Sequence, residues 1–496
     1  MIGIPILSQI KRFQVFCKAC LPLRRVNRSD LHTAWLEPTA LPDRICKSPV
    51  ARRYLSLLGP LAWDRLPERN LQRNWGQVTI PYASFIAAYL VKLNEGKDSM
   101  ADLRLFLIEN PALIWLFGFP ELVSNPGRRR SCISTDLPTA RHLTHMLRVL
   151  PTTVLQFLLA DSVGLIRQEL AAVGVHTGEC ISLDTKHILA WVRENNLKAY
   201  VENRYDKTKQ PAGDPDCKLG CKRRHNRRKA GSEPETPVTP TKNPIPVKGK
   251  SSGEFFWGYG SGVVVIKAPG WGEFVLAEMT QTFDRADTTY FFPLMAQVEE
   301  RLGFRPSCGT FDCAFDAWYT YEYFHRPDNP ACFAAVPFGE KGGYKAKSRQ
   351  FSPEGLPKCE AGLPMPLKMT FIDRTRAIIE HERGKYACPL LFPEPNGDEV
   401  CSRNHKNWPK GGCTVDMPLS IGARLRYTLD RDGEAYRNAY KQRTAVERIN
   451  SQAKALGIER PYLRNRTAIA NQNTLIYLLI NLRLLQRIRT RQKETN

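Results

Sequence analysis

The strongest constraint on the fold lies in mid-chain, where two apolar arms flank a turn. Phe255 to Lys267 carries Val263, Val264, Val265 and Ile266 in one run, Pro269-Gly270-Trp271-Gly272 reads as a turn, and Glu273 to Met279 reads as a returning strand. β-Branched residues on either side of a Pro-Gly turn specify a hairpin. Shorter strand signals lie around it: Cys180-Ile181-Ser182-Leu183, ended by Asp184; Ser307 to Phe311, ended by Asp312; and Cys332 to Val336, closed by Pro337. Asp287 is placed to cap a helix through Tyr290 to Leu302, and a further helix is expected over Ala317 to His325 with Asp316 as its N-cap. From 180 to 336 the order is strand, hairpin, helix, strand, helix, strand. That is an α/β domain with carboxylates at the ends of two strands.

The flanks differ in character. Residues 1–175 read as a helical N-terminal domain, with amphipathic stretches at Ser84 to Asn94, Met100 to Glu109 and Ala140 to Leu150, the last stopped by Pro151. Within the α/β part at 176–337, a polar segment at about 200–252 is expected to be a basic, Pro-rich loop. It holds Lys222-Arg223-Arg224-His225-Asn226-Arg227-Arg228-Lys229, the densest positive run in the chain, and Arg223, Arg224, Arg227 and Arg228 suit phosphate contact. Residues 338–430 read as an irregular, β-rich, Cys-containing insertion, and 431–496 as C-terminal helices, one over Glu434 to Leu456 and one from about Thr467 to Ile488. The net charge of +23 points to a polyanionic partner, of which nucleic acid is the commonest. Lys11 and Arg12 interrupt the apolar start, and no run approaches the roughly 20 apolar residues of a membrane span. A cytoplasmic, nucleoid-associated protein with reduced cysteines and no membrane partner is expected.

The helix expected at 434–456 carries the chemistry. Tyr440, Arg443, Glu447 and Lys454 fall within a stripe about 60° wide at 100° per residue. Ala445, Val446, Ile449, Ala453 and Leu456 fall on the opposing side. One face packs; the other offers an acid flanked by a phenol and two cations. Phosphodiester chemistry supplies a reason to combine that face with two strand-end aspartates. Two Mg²⁺ ions about 3.5–4 Å apart activate a nucleophile and stabilise a leaving oxygen, and a few carboxylates suffice to hold them.

Tyr440-x2-Arg443-x3-Glu447-x6-Lys454 resembles, at every spacing, the Y-R-E-K signature of the DDE transposases of bacterial insertion sequences. Asp312-Cys313-Ala314-Phe315-Asp316-Ala317 is similar to the family's segment around its second acid, and Ile181-Ser182-Leu183-Asp184-Thr185 to that around its first. One departure is Lys186-His187, where the family carries small or polar residues. The resemblance covers about 180–485. It implies a ribonuclease-H-like catalytic core with a β-rich insertion between the second Asp and the Glu. It also implies that Asp184, Asp312 and Glu447 bind two Mg²⁺ or Mn²⁺ ions, that Arg443 and Lys454 contact transposon-end DNA, and that Tyr440 contacts a phosphate near the cleavage site. The implied partners are double-stranded DNA, as transposon ends and as target, and a second copy of the chain in the DNA complex.

Cys359, Cys388, Cys401 and Cys413 lie in the insertion and form a candidate structural zinc site, with free thiols as the alternative. Other readings are a catalytically silent DNA-binding protein derived from such an enzyme, a zinc-organised nucleic-acid-binding protein, and a nuclease of the same fold that does not join strands.

Overall fold

The computed structural model describes residues 30–37, 41–71, 79–119, 137–223, 253–339, 349–374, 378–395, 400–403 and 408–495. Its centre is a six-stranded sheet of β1 (Cys180–Leu189), β2 (Lys218–Arg223), β3 (Gly253–Ala268), β4 (Gly272–Thr282), β5 (Cys308–Thr310) and β6 (Phe333–Ala335). The hairpin expected from the sequence is β3–β4, longer at both ends than its apolar runs. β3 takes β1 antiparallel along one edge; along the other it takes β4 over Tyr259–Ala268 and β2 over Gly253–Gly258. β5 and then β6 continue the sheet beyond β1, both parallel to it.

Helices cover both faces of this sheet. Before it come α1 (Asp30–Leu36), α2 (Asp43–Cys46), α3 (Pro49–Leu58), α4 (Tyr82–Asn94), α5 (Met100–Glu109), α6 (Pro111–Leu116), α7 (Ala140–Val149) and α8 (Thr152–Ala172). Between strands lie α9 (Phe291–Leu302) and α10 (Trp318–Phe324). At the C-terminal end lie α11 (Ile421–Thr428), α12 (Glu434–Tyr440), α13 (Thr444–Ala455) and α14 (Arg466–Thr495). The period-2 alternation of β3 explains the two-sided burial. Val263 and Val265 join an apolar cluster with the N-terminal helices and α14, whereas Val264 and Ile266 join a second cluster with α9 and α10. Where β4 bulges opposite Val264 and Val265, the Asn481 amide on α14 accepts from the Val275 N–H and donates to its carbonyl, both at 2.8 Å. That side chain satisfies backbone groups the bulge would otherwise strand in the core.

The insertion is a three-stranded antiparallel sheet, β7 (Leu367–Asp373), β8 (His381–Ala387) and β9 (Thr414–Pro418), in that order. α11 leads from it back to α10, where Gly422 lies so close to the Trp318 carbonyl that a Cβ would stand 2.1 Å from the oxygen. None of the described single helices is long and apolar enough to cross a membrane.

Three expectations need correction. β1 does not end at Asp184; it runs on to Leu189 because β3 keeps offering partners, from Val263 opposite Asp184 to Gly258 opposite Leu189. The segment expected to be wholly loop contains β2, a polar strand that pairs only with the outer half of β3. The helix expected over 434–456 is divided by a tighter turn at Lys441–Arg443, where the Gln442 carbonyl accepts from the Ser182 hydroxyl at 3.1 Å.

Candidate active site

The site begins with the register of two parallel strands. β1 and β5 pair Ser182 with Thr310, and the Thr310 hydroxyl donates to that of Ser182 at 2.8 Å. Two residues further along each segment stand Asp184 and Asp312. β5 ends at Thr310, so β1 loses its parallel neighbour there, and its residues change from buried to half-buried between Leu183 and Asp184. The two acids lie at this break in the pairing, within electrostatic range of each other. Asp312 turns the chain by accepting from the Ala314 N–H at 2.8 Å. Asp184 accepts from the Asn450 amide at 3.0 Å and lies 3.9 Å from the Arg443 guanidinium. Burial lifts the Asp184 carboxyl to about 6; Arg443 opposes this, and Asp312 and Asp287 add to it.

α13 brings the third acid. Ala445, Val446, Ile449 and Ala453 are buried and Leu456 half-buried against the same cluster, so the packed side is the one the spacing predicts. On the offered side Glu447 is 57% exposed and accepts from Arg443 at 3.1 Å. Arg443 therefore bridges Glu447 and Asp184. Although burial works against its charge, Asp184 and then Tyr440 hold the Arg443 pKa above its ordinary value. Tyr440 stacks on Tyr436, rings 5.7 Å apart and 8° from parallel, and lies within electrostatic range of Arg443. These residues border an open groove of about 370 Å³ with Arg437, Lys441 and Thr444. Lys454 is exposed and pairs with Glu459 at 3.4 Å; Glu459 also holds Lys186 at 2.6 Å.

The two residues that depart from the expected pattern are engaged by groups other than Asp184 and Asp312. Lys186 is engaged by Glu459, and the His187 ring packs edge-on to Phe283, 4.7 Å between centroids. Asp316 is not the N-cap expected; Ala317 holds that position. It is buried, with its carboxylate clamped by Arg426 at 2.7 and 2.5 Å and further bonded by the Tyr321 hydroxyl and Gly339 N–H. A carboxylate so engaged has no lone pair left for a metal ion.

Two residues beside the acids were not assigned to the site from sequence. Asp287 opens a short turn without capping it; its carboxylate accepts from the Thr185 hydroxyl at 2.7 Å, and burial raises its pKa, with Asp312 adding to the effect. The available signal was its position just after the returning strand, a third strand-end acid. Asn450, which holds Asp184, sits three residues beyond Glu447 at the edge of the offered stripe. Lys186, His187, Phe283, Arg285, Asp287 and Tyr290 border a second cavity of about 330 Å³ next to the acids.

Hard carboxylate oxygens suit Mg²⁺ or Mn²⁺. Asp184 and Asp312 lie within electrostatic range of each other, and Glu447 is joined to Asp184 through Arg443, but among the described residues no three His, Cys, Asp or Glu side chains converge as ready metal ligands. Arg223 closes β2 as backbone; its side chain, and Arg224, Arg227 and Arg228, lie outside the described residues. Of the four insertion cysteines, Cys388 is buried and Cys359, Cys401 and Cys413 are half-buried, and all four are free thiols.

No family model matches the chain, and no curated protein matches it. Among solved structures, a piggyBac transposase in a synaptic complex with hairpin DNA aligns over 83% of this chain and 72% of its own, at 10% identity and a TM-score of 0.27. At that TM-score the likeness supports no conclusion about fold or function. What stands on the geometry is a mixed α/β protein with two acids at adjoining strand ends and a third acid joined to the first through Arg443.

Proposed function

We propose that the chain is a DDE-type DNA transposase that cleaves DNA at transposon ends and joins the freed 3′ hydroxyl to target DNA. The observation that carries this reading is the β1–β5 register, which sets Asp184 and Asp312 side by side where a helix presents Glu447 with Arg443 and Lys454. The sheet supports a ribonuclease-H-like core: a central strand with antiparallel partners on one side, parallel strands on the other, and acids where the pairing stops.

Asp184, Asp312 and Glu447 would hold two Mg²⁺ or Mn²⁺ ions. When bound, such ions activate the attacking oxygen and stabilise the leaving one in an in-line displacement. The cost of ionising Asp184, set first by burial and added to by Asp312 and Asp287, fits a cation site, because a dication stabilises the charged carboxylate. Arg443 now spans Asp184 and Glu447, and would turn to a DNA phosphate as the carboxylates take up metal. Lys454, tied only to a surface acid, would exchange Glu459 for a phosphate. Tyr440, on the lip of the groove, would position the backbone near the scissile bond. The functional unit would be a homodimer holding two ends in the nucleoid.

One observation favours the silent alternative: Glu447 is exposed and paired with Arg443 rather than gathered with the aspartates. Glu447→Gln separates the readings on DNA carrying the element's two ends. Losing a metal ligand removes several kcal/mol of charge stabilisation, so end cleavage in Mg²⁺ should fall by about 100-fold or more while DNA affinity stays within about threefold. Wild-type protein that binds the ends without cutting, or a variant that cuts as well as wild type, would overturn the proposal.

A further inference from the structure

Two short segments meet at the far end of β1. One is the chain just past Leu189; the other is the crossing from α13 to α14, residues 457–465. The Leu189 N–H donates to the Glu459 carbonyl at 2.9 Å, so the crossing is seated on the end of β1. Its side chains divide into two sets. Ile458, Pro461 and Leu463 are buried, whereas Arg460, Tyr462 and Arg464 are exposed. Beside it Ala190 and Val192 are buried, and Trp191 between them is 49% exposed.

The outward side chains form one cluster. The Trp191 and Tyr462 rings lie 5.8 Å apart and 86° from parallel, making a corner. The Arg464 guanidinium stands 4.7 Å from the Trp191 ring centroid, and its Nε donates to the Trp191 carbonyl at 3.3 Å. Tyr462 is the more open ring, 71% exposed. The crossing is pinned at its other end by Asn465. That side chain accepts from the Thr467 and Ala468 N–H groups at the start of α14, and its amide donates to Asp216 at 3.0 Å. The two rings are therefore presented by a backbone that is anchored on both sides.

Charge selects the partner for this surface. Arg460, Arg464 and Arg466 are all exposed on the one short stretch. The acids beside them are already engaged: Glu459 holds Lys186 and Lys454, and Asp216 accepts from Asn465 and from the Arg466 N–H. Open rings among guanidinium groups suit a polyanion that carries flat π-faces, which is nucleic acid. Paired bases hide those faces in their own stack, so unpaired ones fit. The surface also continues from the acids. At about 3.3 Å per residue, β1 carries the chain about 20 Å from Asp184 to Trp191. A strand would cover that span with about six nucleotides at about 3.4 Å each.

We propose that Trp191, Tyr462 and Arg464 form a platform on which an unpaired base of a DNA strand stacks, with Arg460 and Arg466 beside its phosphates. Tyr462 takes the base; Trp191, braced by Arg464, backs it. The proposal goes beyond the transposase reading and rests on it only for DNA as the partner. Stacking of one base on an aromatic side chain is worth about 5- to 100-fold in affinity.

The test uses the full-length protein in chelator, where no strand is cut. Fluorescein-labelled oligo(dT) and a duplex of the same length are read by anisotropy. The double variant Trp191→Ala/Tyr462→Ala should bind oligo(dT) about 10-fold or more weakly, with duplex affinity within about twofold of wild type. Tyr462→Phe should bind both as wild type does. A single strand carrying 2-aminopurine should be quenched by wild-type protein and markedly less by Tyr462→Ala. Should the double variant not fold, Tyr462→Ala, at an exposed position, replaces it, with a loss of about 5-fold on oligo(dT) alone. Wild-type protein that does not bind oligo(dT), equal losses on single strand and duplex, no loss on either, or equal quenching by wild type and Tyr462→Ala would each overturn the proposal. Equal losses would assign the patch to general phosphate contact, and no loss to a protein partner. Because binding is read without cleavage, failure to cut transposon ends in Mg²⁺ would overturn the transposase reading and leave this result standing.

Discussion

Asp184→Asn should make the metal-free protein more stable at high pH while abolishing cleavage. An unfolded Asp ionises near 3.8, whereas in the fold burial and two neighbouring acids raise Asp184 to about 6. Between those values the folded chain binds more protons than the unfolded one, so stability falls as pH rises through that window and the full cost is present above it. A shift of about two units corresponds to about 3 kcal/mol. This is an upper figure for the variant's gain, because Arg443 loses a partner at 3.9 Å while the new amide can still accept from Asn450. The assay is thermal unfolding in chelator at pH 8 and pH 5, with and without Mg²⁺. The variant should melt above wild type at pH 8, by a margin that shrinks towards pH 5, and wild type should gain more from Mg²⁺ than the variant. A variant less stable than wild type at pH 8, or a gain independent of pH, would refute the electrostatic reasoning.

Other consequences concern the flanks of the site. Lys454→Ala should leave stability nearly unchanged, since its pair with Glu459 is exposed. It should weaken DNA binding across sequences and lower the salt slope of log K by about 1, read by fluorescence anisotropy at several salt concentrations. Arg426→Ala should destabilise by about 3–5 kcal/mol in denaturant titration, because the Asp316 side chain is 1% exposed and would lose its counter-ion. Pairing it with Asp316→Asn should recover much of that loss, since no buried charge is left unpaired.

Much of the architecture was legible where local pattern decides. The β-branched run at Val263–Ile266 and the turn after it define the β3–β4 hairpin, and the spacing on α13 separates its packed side from its offered side. Asp184 and Asp312 were legible because acids after short apolar strands stand out. What pairing at a distance decides was not legible. β1 outruns its apolar segment because β3 is 16 residues long, and β2 is a strand only because β3 lends it an edge. Asp316 looks like a local cap, yet its partner Arg426 is 110 residues away on the insertion's exit helix. The same contact ties α11 to the turn that follows Asp312, so the seating of the insertion bears on the second acid. Asp287 gave only a helix-start signal, because its place beside Asp184 depends on the fold of the whole sheet.

The most direct test of a shared cation site is to count bound Mn²⁺ by electron paramagnetic resonance in the presence of end DNA. Wild-type protein should bind two ions per active site. Asp184→Asn, Asp312→Asn and Glu447→Gln should each lose at least one, with the DNA still bound. Equal Mn²⁺ binding by wild type and a variant lacking all three carboxylates would contradict the assignment of these residues to a common metal centre.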